Sequence, residues 1–307
     1  MANYLALSDI YGQIELMLTD YRDGTRRTEL KAAINMVYLL EMLNCDDLFP
    51  CLWFLAFFDD SVKCKDSATI TGITAATPPV VTSAAHGYAN GDIIQIAGVV
   101  GMTELNNRVF VVADRAVNTF ELQTLDGTDI VGAGYTAWTS GGTVYHRGIS
   151  LASGYEKILT AAWHGYNGEM KEIDEKELER TTSWWDPATS GLPTRYLQKK
   201  YFTAAGAEAN RMLLFPRPDD NYPMRAWLQK QADRLSANGD VPILPYQYHD
   251  GIIAGTIARL TQYPQIQIEN AVVWPGIYKA HLEALKTENR KWWKRFNKEQ
   301  RSGYYLA

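Results

Sequence analysis

From Asp9 to Asn44 the apolar residues recur at helical intervals. Leu30, Ile34, Val37 and Leu40 follow one another at three- and four-residue steps, which places them on one face of a helix. Thr25, just after the Asp23-Gly24 turn, stands where it can cap that helix. Two amphipathic helices joined by YRDGT are therefore predicted as a helical hairpin. Phe49 to Phe58 is almost wholly apolar or aromatic and reads as core or buried contact surface.

The period changes at about Asp66. Short β-branched and aromatic runs follow, with alternation in Thr69-Ile70-Thr71 and in Phe120-Glu121-Leu122-Gln123. Pro78-Pro79, Asn90-Gly91 and Asp126-Gly127 cut them at turns. This pattern predicts a small all-β domain over 66–148. Helical periodicity returns in SGYEKILTAAWHGY, and a charged stretch, GEMKEIDEKELER, comes next. Three extended runs at TRYLQKKYF, NRMLLFPRP and YPMRAWLQKQ predict a small antiparallel sheet or long hairpin over about 192–232. Two helices, about 247–262 and 276–300, close the chain, the second introduced by Trp274-Pro275-Gly276. The expected fold class is thus α+β: a mainly helical domain over 1–65 and 149–307, carrying the hairpin and a basic-aromatic tail at 286–307, interrupted by the inserted all-β domain.

Composition changes this picture little. The chain has 307 residues, more than the roughly 250–300 that one core usually organises, which fits two domains. It is 46% apolar with a formal charge of -5, too small to imply a highly charged partner. Cys45, Cys51 and Cys64 lack metal or redox spacing and read as buried thiols. The N-terminus shows no basic region ahead of a long apolar stretch, and LFPCLWFLAFF is too short to span a bilayer. A soluble protein made in a cytoplasm is expected, with no membrane partner.

Candidate chemistry is sparse. His249 and Asp250 are adjacent, so on a helix their side chains diverge by about 100° and cannot form the pair that orients a catalytic imidazole. Asp250 in a first turn instead complements the helix dipole. His86, His146 and His164 are scattered, and the metalloprotease, phosphate-loop and nucleophile-elbow motifs are absent from the sequence. No catalytic residue, cofactor or metal site is assigned. The 66–148 stretch holds seven acidic residues against three arginines, a net of -4 that would repel a phosphate backbone.

The C-terminus is richer. Lys286 to Arg301 carries seven basic residues against two acidic ones, interleaved with Trp292, Trp293 and Phe296 and followed by Tyr304 and Tyr305. Such a segment can be a phosphate-binding arm, a membrane-surface helix, or a tail docked on a partner through aromatic anchors and arginines. It can also be a helix end whose tryptophans pack on their own domain.

GLPTRYLQ, followed by LLFPRPDDNYPMRAWLQKQADRLSANGDVPILPYQYHDGIIAGTIARL, resembles the head-to-tail adaptor (connector) proteins of tailed bacteriophages. Gly191-Leu192-Pro193, Phe215-Pro216-Arg217-Pro218, Leu235, Leu244-Pro245 and Tyr248-His249-Asp250 carry the match. The likeness covers about 190–262 well and 8–60 loosely. The insert is similar to a small barrel-like module that recurs in phage tail proteins, through His86-Gly87-Tyr88, Gly91-Asp92, Gly98, Met102 to Asn106 and Phe120-Glu121-Leu122.

The resemblance implies a helical-bundle adaptor domain and a structural virion protein of the neck, not an enzyme. It would form a ring of about twelve copies. That ring would sit between the portal and the tail or nozzle proteins and extend the channel, through which genomic DNA passes without sequence-specific binding. Arg290, Lys291, Trp292, Trp293, Lys294, Arg295, Phe296, Arg301, Tyr304 and Tyr305 would dock on the portal. Leu30, Ile34, Val37, Leu40, Ala254, Gly255 and Ala258 would pack helices in the ring. Two other readings stand beside this one: a tail or baseplate component whose β module binds a virion protein or host glycan, and a hydrolase using His249 and Asp250.

Overall fold

A computed structural model of the chain describes residues 4–18, 27–44, 55–62, 67–151, 154–166, 168–180, 189–202, 206, 208–263, 268 and 270–302, with the backbone alone at 55–62, 179 and 296–302. Thr25 and the three cysteines lie outside the described residues, and no side chain of the Phe49 to Phe58 run is described.

The helices are α1 (Leu7–Met17), α2 (Arg27–Met36), α3 (Glu175–Arg180), α4 (His249–Leu260) and α5 (Trp274–Ser302). The strands are β1 (Leu55–Val62), β2 (Ala68–Thr69), β3 (Gly72–Ile73), β4 (Val80–Thr82), β5 (Ile93–Val100), β6 (Arg108–Ala113), β7 (Thr119–Gln123), β8 (Ser140–Leu151), β9 (Tyr155–Trp163), β10 (Lys171–Glu172), β11 (Arg195–Phe202), β12 (Glu208–Phe215) and β13 (Tyr222–Lys230). They fall into two compact units, one built from Met1–Leu55 with Lys230–Tyr305, the other from Ala56–Gln229.

The first unit is helical. Leu30, Ile34 and Val37 are fully buried with Ile10 and Ile14 of α1 and Ile252 and Ile257 of α4. Each such side chain contributes about 1.5–3 kcal/mol by leaving water. Leu40 does not join them and is 62% exposed. The cause is local: α2 runs on into a π-helical turn, Val37–Met42. Its wider turn advances the buried positions to Tyr38 and Met42 and swings Leu40 outward. Arg27 ties α2 to α1 by a two-pronged ion pair to Glu15, at 2.7 and 3.0 Å. Asn35 holds the loop ahead of α4 through both backbone groups of Leu235.

The second unit departs from the expected α+β helical bundle. Among the described residues about 30% are helical, and the dominant element is a ten-stranded mixed sheet in the order β10-β11-β12-β8-β5-β6-β7-β4-β3, with β2 also on β8. Two physical causes account for the difference. First, β11 and β12 do not form a separate hairpin. β12 pairs along β8, with Asn210 opposite Leu151 and Leu213 opposite Gly148, so the strands of 66–148 and those after 194 belong to one sheet. Gly148 permits this join, because a Cβ there would lie 2.1 Å from the Met212 carbonyl oxygen. Second, within the stretch read as helix at 153–166, Tyr155–Trp163 forms strand β9, which joins β1 and β13 in a three-stranded sheet. Ile158, Ala161 and Trp163 of β9 pack on Tyr196, Met212 and Leu214, and this tertiary pairing overrides local periodicity.

Within the large sheet, β2 on β8 and β3 on β4 are linked through Ile70-Thr71, so pairings from β8 through β5, β6, β7, β4 and β3 return to β8. They surround a core that includes Ile94, Ile96, Phe110, Val112, Phe120, Leu122 and Val144.

Candidate functional site

The helix α5 carries the basic-aromatic segment. Pro275 lies in its first turn, where a missing N–H costs no hydrogen bond. Trp274, Tyr278, Leu282, Leu285, Asn289 and Trp293 recur at steps of four and three and form the half-buried to buried face. That face meets α4, which is buried nearly all round, Ala254 and Ala258 included. The approach is close: a methyl group at Gly255 would lie 2.6 Å from both Tyr278 and Val37. Glu41 secures the three elements, accepting from the Tyr278 hydroxyl at 2.7 Å and pairing with Arg259 at 2.9 Å.

On the opposite side of α5, Arg290, Lys291, Lys294 and Arg295 are exposed. The two tryptophans divide. Trp293 is buried and Trp292 half-buried, their rings edge to face at 5.4 Å. Trp293 therefore packs on its own unit, and among the described side chains the exposed part of the predicted docking set is cationic. Phe296 and Arg301 have only their helical backbone described, and Tyr304 and Tyr305 lie outside the described residues.

His249 is fully buried at the start of α4. Its Nε2 is 2.9 Å from the Leu244 carbonyl, which can only accept, and its Nδ1 accepts from the Leu5 N–H at 3.2 Å. Those partners select the neutral imidazole, and burial holds its pKa below the ordinary histidine value against weaker pulls from Leu244 and Asp250. Asp250 is exposed, and neither of His249's two ring-nitrogen bonds goes to it. His249 fastens the chain ahead of α1 to the loop ahead of α4.

In the sequence His86 and His146 are scattered. Folding brings both against the Tyr88 ring, stacked at 5.5 and 6.2 Å, with Phe120 against His86 and Asp92 beside His146. The signal is long-range: β5 pairs with β8 so that Ile94 faces His146, which sets Asp92 near that imidazole. His164 accepts from Arg225, and His281 packs over Gly251.

A groove of about 600 Å³ in the helical unit is lined by Tyr38, residues 230–236, Asp240, Val241 and Ile243. The Tyr38 hydroxyl there accepts from the Ile243 N–H, and Asp240 is occupied by Ser236 and Ala237, which hold its carboxyl below the usual range. Both groups serve loop structure. Among the described residues no group of three or more His, Cys, Asp or Glu is placed to hold a metal, and no helix is long and apolar enough to cross a membrane. No protein-family model matches the chain, and no curated protein does.

Proposed function

We propose that this chain is a structural virion protein, a head-to-tail adaptor that assembles as a ring between portal and tail and extends the exit channel. The resemblance at 190–262 is the starting point. The observation that carries it further is α5: 29 residues, roughly 44 Å long, anchored through Leu285, Asn289 and Trp293 and exposing Arg290, Lys291, Lys294 and Arg295 on the other side of the same turns. A helix held in this way can present cations to a neighbouring protein without the further cost of ordering its backbone. The partner in this reading is the portal, engaged by charge through Arg290, Lys291, Lys294 and Arg295, while Trp293 keeps the helix on its own unit.

Deleting residues 286–307 is a poor test, because it removes the buried Asn289 and Trp293. Glutamate at positions 290, 291, 294 and 295 is better, since all four side chains are exposed. The fold should survive, and binding to a purified portal ring should weaken by roughly tenfold or more, steeply with salt. Undiminished binding of the four-fold variant contradicts this use of α5.

A further inference from the structure

The stretch from Ala84 to Asp92 crosses from β4 to β5, and His86 pegs it down. The side chain is 7% exposed, between the rings of Tyr88 and Phe120. Its Nε2 lies 3.1 Å from the Ala116 carbonyl oxygen, which can only accept. Its Nδ1 lies 3.1 Å from the Tyr88 backbone N–H, which can only donate. One neutral tautomer satisfies both. A proton on Nδ1 would set two donors against each other and break the bond that folds the crossing back on itself.

The charged and titratable neighbours come from each element around it. Arg115, beyond β6, donates from Nε to the Tyr88 carbonyl at 2.8 Å. Asp92, ahead of β5, accepts from the Ala89 N–H at 2.7 Å and lies 3.7 Å from His146 of β8. Tyr88 stacks with both imidazoles and donates its hydroxyl to the Val144 carbonyl at 3.1 Å. β7 contributes Phe120 and the Thr119 carbonyl. Burial is the largest influence on His86 and lowers its pKa; the Ala116 and Thr119 carbonyls oppose it, Arg115 adds to it and Asp92 opposes it least.

We propose that His86 is an acid-released latch: while neutral it holds the Ala84 to Asp92 crossing over the aromatic core, and protonation frees the crossing while the strands beneath stay paired. The closed form binds the proton less well than the open form. Closure is therefore at full strength above the free-imidazole pKa of about 6.5 and weakens as pH falls below it. One such proton raises the open population by up to about thirty-fold between pH 7.5 and pH 5. The latch does not depend on the adaptor reading.

The test is amide hydrogen exchange of the full chain by NMR, with rates corrected for the intrinsic effect of pH. Tyr88 should lose protection by up to about thirty-fold over that range, while Ile94 and Phe110, paired across β5 and β6, keep theirs. In His86→Gln, which cannot titrate, the Tyr88 rate should not follow pH; in His146→Gln it should. Flat Tyr88 protection in the wild type overturns the latch. So does the same loss in His86→Gln, or a parallel loss at Ile94 and Phe110, which would mean global unfolding. The wild-type measurement suffices if the variant does not fold, because Ile94 and Phe110 report on the fold in the same sample.

Discussion

His249 shows how a residue that looks chemical can be structural. Its ring joins Leu5 to Leu244, two segments more than two hundred residues apart in sequence, through one buried imidazole. Replacing it with alanine should cost about 2–4 kcal/mol in denaturant unfolding, since an N–H and a carbonyl lose their partner and a cavity is left. The pH dependence has a definite sign. Because burial lowers its folded pKa, the stability that His249 adds is present above about pH 6.5 and is lost as pH falls from there through the lower folded value. Wild type should therefore lose more stability than His249→Gln between pH 7 and pH 5, by at most about 1.4 kcal/mol per pH unit. Equal slopes would assign the buried imidazole no proton linkage. Adjacency in sequence made the separation of His249 from Asp250 legible; the identity of the two backbone partners was not, since both lie across the fold.

At the scale of elements, period was a good guide where one face packs and a poor one where tertiary pairing decides. Leu30, Ile34 and Val37 were legible, whereas Leu40 was displaced by a π-helical turn that sequence spacing does not announce. Val37→Ala should cost about 1–3 kcal/mol in thermal or denaturant unfolding, and Leu40→Lys should stay within about 0.5 kcal/mol of wild type. Reversed sizes would contradict the π-helical phase. The strands at 195–230 were legible as three extended runs carrying aromatic and large apolar residues. Their division between two sheets was not, because pairing between β8 and β12 is set by residues some sixty positions apart. Gly148 marks that seam, and Gly148→Val should destabilise by at least about 2 kcal/mol, with amide protection lost first along β12. Unchanged protection there would show that β12 does not need the close approach.

For the whole molecule, the mixture of helical and β-rich segments was legible but their balance was not: the ten-stranded sheet outweighs the helices. The basic edge of α5 could be read from charge spacing, while the inward turn of Trp293 required the helical unit to be assembled around it. The role proposed for the chain is assembly with copies of itself and with a portal. Native mass measurement of the purified chain, alone and mixed with a portal ring, tests it most directly. The adaptor reading predicts a discrete complex that adds a closed set of about twelve chains to the portal. A chain that stays monomeric and adds no mass to the portal at any concentration would contradict it.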